Sequence, residues 1–280
     1  MKKFTLNATV AVSLAMFAGA ANAQTMDVLE VEGQVISTSA PAPDFLDIDQ
    51  VISGWAFRTV ETRALQMDDF ENPAMIFVDQ AIDDWNTVDG TEGKSCASCH
   101  DGPEEFAGLR AELPRWNEAE GSLYNMEDYI NYSRVNYMGA EPLKWAKPRM
   151  DAMVALISLQ SRGMPINVVV DGPVADIWEA GREIYYTRVG QLDMACANCH
   201  EDNFGNMIRA DHLSQGQING FPAYRLKNAK LNSVHARFKG CMKNIRAQPF
   251  GVGSEEFRAL ELYVASRGNG LSAEGPSVRN

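Results

Sequence analysis

The chain has 280 residues, with 37 acidic and 25 basic side chains and a formal net charge of −12, and that length has room for two domains of ordinary size. An acidic balance of this size argues against nucleic acid as the partner, because phosphate backbones are gripped by clustered Lys and Arg. It permits docking with a basic protein or with basic electron carriers.

Residues 1–23 read as an export signal. Lys2 and Lys3 open it, an apolar stretch runs from Ala8 to Phe17, and Ala21-Asn22-Ala23 fits a small-x-small cleavage site. The mature chain is then expected to begin at Gln24, and losing two lysines takes its formal charge from −12 to −14. The apolar stretch is too short to span a bilayer, and no later segment resembles a membrane span. Residues 24–50 form an N-terminal extension, and the run Ser37-Thr38-Ser39-Ala40-Pro41-Ala42-Pro43 has the composition of a linker.

Helical spacing of apolar residues follows over Glu61–Met67 and Ala74–Trp85, the second with Ile76, Phe77, Ile82 and Trp85. Asp89-Gly90 ends that helix, and Cys96-Ala97-Ser98-Cys99-His100 comes next. Asp151–Gly163 is an apolar-periodic helix ending in Ser161-Arg162-Gly163. Gly163–Val174, with Pro165 and Asp171-Gly172-Pro173, marks a boundary. Strand patterns are scarce, and Ile166–Val170 inside this boundary is the best of them. The plan then recurs. A helix with Trp178 runs from Ile177 to Tyr186, Val189-Gly190 follows, and Cys196-Ala197-Asn198-Cys199-His200 stands 100 residues after its first copy. A closing helix over Ser254–Gly268 ends in Ser266-Arg267-Gly268. Ser254 suits its N-cap, Glu255 and Glu256 its first turn, and Gly268 its C′ position.

C-x-x-C-H is the attachment signature of c-type haem: each thiol adds across a vinyl group, and the histidine is set to bind iron. A zinc ribbon would bring its cysteine pairs within about 15–20 residues and needs no histidine after each. A thioredoxin-like motif would need a βαβ setting, which is absent. The expected fold is therefore mainly α, with two tandem cytochrome-c-like domains at 51–165 and 172–280, each carrying one covalent haem.

Five cysteines leave one over after the two motifs: Cys241, in Arg237-Phe238-Lys239-Gly240-Cys241. An unpaired thiol in an oxidising compartment is lost to oxidation unless it is ligated or used. Residues 225–246 hold Arg225, Lys227, Lys230, Arg237, Lys239, Lys243 and Arg246 without an Asp or Glu. This basic island reads either as a solvated face or as an anion-receiving mouth. Cations beside Cys241 favour the thiolate, the form that binds iron and attacks sulfur. His235 lies close by in sequence and is a weaker candidate for the site. His212 reads as an ordinary surface or core residue and not a ligand.

Three stretches resemble one family: Ile218-Asn219-Gly220-Phe221-Pro222, Arg237 to Cys241, and Gly253-Ser254-Glu255-Glu256-Phe257 onward to Gly270. They are similar to SoxA, the dihaem cytochrome subunit of SoxAX. The resemblance implies a periplasmic L-cysteine S-thiosulfotransferase that oxidatively joins thiosulfate to a cysteine of the carrier SoxYZ and releases two electrons. It implies two haem c groups, a monohaem partner SoxX in a heterodimer, and an acceptor c-type cytochrome. Cys196 and Cys199 would anchor the active-site haem. His200 would be its proximal ligand, Cys241 its distal ligand as thiolate or persulfide, and Arg237 the cation that holds the sulfur anion. Cys96, Cys99 and His100 would hold the other haem. Family members commonly place a cysteine in the segment corresponding to Ile130–Arg134 as second ligand of that haem, and this chain has Ser133. Met138 or Met126 could then occupy that position, or water, or nothing. Two other functions fit the same motifs: an electron-transfer dihaem cytochrome, and a thiosulfate dehydrogenase that forms tetrathionate. A peroxidase fits less well, because the strong sixth ligand would have to leave.

Overall fold

The computed structural model describes residues 28–209 and 211–280, so the export signal expected over 1–23 lies outside the described residues. Among the described residues, eight α-helices carry the architecture. In the first half they are α1 (Val60–Gln66), α2 (Met75–Asn86), α3 (Met126–Met138) and α4 (Pro148–Leu159). In the second they are α5 (Ala175–Tyr186), the short α6 (Cys196–His200), α7 (Val234–Asn244) and α8 (Glu255–Ser266).

Caps start them where the chemistry asks. Thr59, Ser233 and Ser254 each accept a backbone N–H of the first turn, and Asn125 with Asp128 forms a capping box on α3. The helices expected at 61–67, 74–85, 151–163, 177–186 and 254–268 are present within a few residues. At the end of α8 the left-handed backbone falls on Gly270 (φ +89°) and not on Gly268, so the expected C′ position moves by two residues. Both α3 and α7 escaped the periodicity reading, because tyrosines, asparagines and cations dilute their apolar spacing.

Each half has its own core. In the first, α2 packs on α4, with Val78, Ala81, Trp85, Met150, Met153 and Leu156 buried. In the second, α5 packs on α8 around Tyr185, Phe257, Leu260, Leu262 and Tyr263.

Short strands are more numerous than the sequence suggests, because strands of two or three residues are too brief to show alternation. The first four are β1 (Leu29–Val31), β2 (Gln34–Ile36), β3 (Ser39–Pro41) and β4 (Gln50–Ile52), paired as two hairpins, β1 with β2 and β3 with β4. Then come β5 (Arg115–Asn117) with β6 (Ser122–Tyr124), and β7 (Met207–Ile208) with β8 (Asp211–His212). Last are β9 (Ala223–Arg225), β10 (Lys230–Asn232) and β11 (Ser277–Arg279), in the order β10–β9–β11.

Residues 37–43, expected as linker, thus include β3, and the extension is a belt across both halves. Leu29, Val31 and Ile36 bury against Trp55, and Ala40 and Val51 against Leu271. Polar bonds fasten the belt: Gln34 Nε2 donates to Arg162 O (2.7 Å), and Ile52 N to Gln215 Oε1 (2.7 Å). Ile166–Val170 is extended but unpaired as a strand. Ile166 exchanges main-chain bonds with Gly270 and Leu271, and Ile166 and Val168 point inward.

The same element order occurs twice, and the register is close. Both hairpins follow a cis X–Pro bond, at Pro114 and Pro222, positions 108 apart. At that spacing β5–β6 falls on β9–β10, N-cap Asn125 on Ser233, and Ser133 on Cys241. The helix ends agree: Gly139 N bonds to Arg134 O as Ala247 N bonds to Met242 O. Downstream, Gly163 and Gly270 are both left-handed. Ser161-Arg162-Gly163 therefore does not fall on Ser266-Arg267-Gly268, as the similar letters suggest.

Each hairpin also buries its apolar face in the opposite half. Leu123 and Trp116 from β5–β6 join the second core, and Leu231 and Tyr224 from β9–β10 join the first. Where the halves meet, buried Arg110 donates to Ile218 O (2.9 Å). Nearby, burial and the neighbouring Glu261 push the Glu127 carboxyl up to about 8. Among the described residues no helix is long and apolar enough to cross a membrane.

Candidate functional site

In the second half, α6 presents Cys196 and Cys199 one turn apart, with His200 at its end. Asn198 Oδ1 accepts the Ala195 N–H (2.9 Å) and so caps this short turn. His200 Nδ1 lies 2.8 Å from Ser214 O, so Nδ1–H donates there and Nε2 is left for another partner. Gly216 (φ +84°) lies against the ring, and a Cβ there would come within 2.9 Å of His200 Cγ. The next residue, Glu201, is fixed by Arg267 Nη1 at 2.5 Å, and the Arg267 guanidinium stacks on Tyr185 at 4.5 Å.

Cys241 comes from α7 and lies beside His200. Desolvation opposes its ionisation, but Arg237, His200 and Arg225 outweigh that and bring the thiol down to about 7. Burial, together with Cys241 and Cys199, pushes Cys196 up to about 12. Three sulfurs and one imidazole therefore converge. Two thiols spaced for vinyl groups, a histidine with Nε2 free and a facing sulfur are the donor set of a covalently attached haem c, and the residues fit that group.

Arg237 lies one turn before Cys241 on the same face of α7. It is half-buried, and its side chain makes no hydrogen bond or ion pair among the described residues. Its surroundings are cationic. Burial and the proximity of Arg279, Arg237 and Arg225 draw the Arg58 guanidinium down to about 10. Two of these cations are neutralised, Arg58 by Asp211 and Arg279 by Glu274 (2.6 Å). Arg58 and Arg279 were not anticipated. They lie far from Cys241 in sequence, and no local motif points to either.

The first half holds Cys96, Cys99 and His100 in a similar turn, with Cys96–Ser98 forming a single turn of 3-10 helix. His100 Nδ1 faces Glu105 Oε2 (3.1 Å), a carboxylate where His200 has a carbonyl. Its ring packs on Phe106 (4.8 Å) and Trp85 (5.8 Å). Burial raises the Cys96 thiol. The donor set fits a haem c on this side too. At the position corresponding to Cys241 stands half-buried Ser133. Met126 is buried and lines a pocket with Arg110 and Phe221, and Met138 is buried beside Gly90 at the end of α3.

His235 does not belong to the site. It is buried on α7, with Nδ1 accepting the Gly253 N–H (3.0 Å) and Nε2 at 3.0 Å from Glu261 Oε2, between the rings of Trp145 and Phe257. It is a core histidine. His212 is exposed.

The model of the SoxA/TsdA cytochrome c domain matches residues 80–166 and again 180–273. The L-cysteine S-thiosulfotransferase subunit SoxA of Paracoccus pantotrophus is 56% identical over 99% of this chain and 98% of its own length. That of Rhodovulum sulfidophilum is 57% identical over 94% of each. The crystal structure of SoxXA from P. pantotrophus contains a chain 57% identical to this one, matching with a TM-score of 0.88 over 90% of this chain and 97% of that one. With the two C-x-x-C-H turns and the thiol that faces His200, these likenesses show that the chain belongs to the SoxA family, the cytochrome c subunits of L-cysteine S-thiosulfotransferase.

Proposed function

We propose that the chain joins thiosulfate oxidatively to a cysteine of the SoxYZ carrier, with Cys241 as the reacting sulfur. The observation that carries this reading is Cys241 beside His200, one turn of α7 after the Arg237 guanidinium, which has no partner among the described residues. Arg237 receives the thiosulfate dianion and holds its sulfane sulfur against Cys241. Forming Cys241–S–S–SO3⁻ from the thiolate and thiosulfate releases two electrons. The carrier thiolate then attacks the sulfane sulfur, takes the S–SO3⁻ group, and frees the Cys241 thiolate.

Cys196, Cys199, His200 and Cys241 would hold one haem c, which would take the two electrons one at a time and pass them on. Ser214 O fixes the His200 ring through Nδ1 and leaves Nε2 as its ligand atom. Cys96, Cys99 and His100 would hold a second haem c, in a chain of two tandem cytochrome-c-like domains at 51–165 and 172–280. The recurring register of hairpin and helix supports this domain reading. The partner is SoxX in a heterodimer, a reading supported by the likeness to a chain of SoxXA. Electrons pass through it to an acceptor c-type cytochrome. The export signal over 1–23 supports a periplasmic location.

The test compares wild type with Cys241→Ala in complex with SoxX, following thiosulfate-dependent reduction of the acceptor with and without SoxYZ. Loss of turnover with both haems retained, and a thiosulfate mass adduct on SoxYZ only with wild type, is the expected result. Normal turnover in the variant would leave an electron carrier. Tetrathionate formed without the carrier would indicate a thiosulfate dehydrogenase.

A further inference from the structure

The two halves allow an internal comparison at the spacing of 108. In the first half the hairpin and helix carry Asn117, Ser122, Tyr129 and Ser133. At the matching positions the second half carries Arg225, Lys230, Arg237 and Cys241. Four uncharged positions have become three cations and a thiol on the same scaffold. Folding does not require the cations, since the first half forms the same hairpin without them.

Register makes the charges costly. Lys230, Arg225 and Arg279 are direct cross-strand partners over β10–β9–β11, one row of three cations on one face of the sheet. Like charges opposite one another destabilise a sheet. Glu274 neutralises Arg279 at the inner end of the row, and exposed Lys230 ends it in solvent. Half-buried Arg225 lies between them. Its Nε donates to Asn280 O (3.0 Å), while its two terminal nitrogens have no partner among the described residues. Arg58 ties the row to the site: its Nε donates to Gly54 O (3.2 Å), and Arg279 lies against that same Gly54. Arg225 also acts electrostatically on both Arg237 and Cys241.

We propose that Arg225 is a second substrate-binding residue, which holds the sulfonate end of the thiosulfate dianion while Arg237 holds the end that reacts. A planar guanidinium with two free N–H groups suits a tetrahedral sulfonate, and two guanidinium groups match the charge of the dianion. This assignment rests on the reading that thiosulfate is conjugated at Cys241.

The experiment measures KM and kcat for thiosulfate in the complex with SoxX for Arg225→Asn, which installs the first half's residue. Arg225→Lys and the exposed hairpin variant Lys227→Asn run beside it, with Cys241→Ala as reference. KM for Arg225→Asn is expected to rise about 10- to 100-fold, the loss of one charge-assisted hydrogen-bonded contact. kcat should fall much less, and the haem spectra should not change. KM should also become less sensitive to salt than in wild type. Arg225→Lys should recover part of the loss, and Lys227→Asn should leave KM within twofold. An unchanged KM in Arg225→Asn beside an inactive Cys241→Ala overturns this assignment alone. Retained turnover in Cys241→Ala overturns it together with the conjugation reading. If Arg225→Asn does not fold with its haems, Arg225→Lys decides: a KM raised several-fold with unaltered spectra supports the contact, and a wild-type KM overturns it.

Discussion

Glycine-to-alanine substitution should have opposite signs at two helical positions of this chain. In an exposed helix the change stabilises by about 1 kcal/mol, because alanine loses less backbone entropy. Gly181 lies in the middle of α5 where it crosses α8. A methyl there would sit 2.0 Å from Ala259 O and 3.0 Å from Tyr263 Cβ. Carbon and carbonyl oxygen need about 3.3 Å, so the helices must part by more than about 1 Å, and the obstructing atom is backbone that cannot rotate away. A gap of that size forfeits a quarter to a half of each contact along the interface. It also stretches the bond from Trp178 Nε1 to Ser266 Oγ, now 2.9 Å. Overpacking costs of about 1–3 kcal/mol or more exceed the helical gain, so Gly181→Ala should lose about 2 kcal/mol net, a fall in Tm of about 4–8 °C. Gly240 in α7 has open space where a Cβ would stand, with no neighbouring atom within 4 Å, so Gly240→Ala should gain roughly 0.5–1 kcal/mol. Thermal melts of both variants by far-UV circular dichroism decide the matter. A Gly181→Ala protein that melts at or above wild type would refute the packing argument.

Two further predictions concern buried chemistry. Burial raises the carboxyl of Asp151 on α4 from 3.8 to about 7. The folded pKa lies above the unfolded one, so the stability this group contributes is full below about pH 4 and lost as pH rises through about 7. Asp151→Asn removes that dependence. Its stability relative to wild type should rise between pH 4 and pH 8 by up to about 4 kcal/mol, measured by urea unfolding at the two pH values; a constant difference would contradict it. Ser133→Cys should put a sulfur opposite His100, with a new low-spin thiolate signal in electron paramagnetic resonance and a lower midpoint potential for that haem. An unchanged spectrum would mean that the matched register does not bring position 133 to the iron.

The two C-x-x-C-H turns were legible because their chemistry is local: two thiols and an imidazole within five residues. Cys241 was legible by count, as the fifth cysteine in a chain that opens with the pattern of an export signal, and Arg237 by lying one helical turn away. Arg58 and Arg279 were not, since only the belt and the last strand bring them to the site, over sequence separations that no pattern bridges. The hairpins were missed because strands of three residues show no period. The closing helices were misaligned because Ser-Arg-Gly occurs after both, while the backbone matches Gly163 with Gly270 through their shared left-handed conformation. His235 was drawn toward the site by its neighbours in sequence, but six residues of helix turn it to the other side from Cys241, into the core.

The exchange of hairpins between the halves is the contact pattern of a twofold-symmetric dimer, in which patch i of one copy meets patch j of the other and the reverse holds as well. Here both copies lie on one chain, and so they are free to differ. In a true homodimer, a row of cations at Lys230, Arg225 and Arg279 would be paid for twice, once at each site. Within a single chain the burden falls on one side, and the neutral side, through Leu123 and Trp116, lends its hairpin to stabilise the charged half. Loss of symmetry thus allows the cation row to stand on one half alone, while each half's core is completed by the other's hairpin.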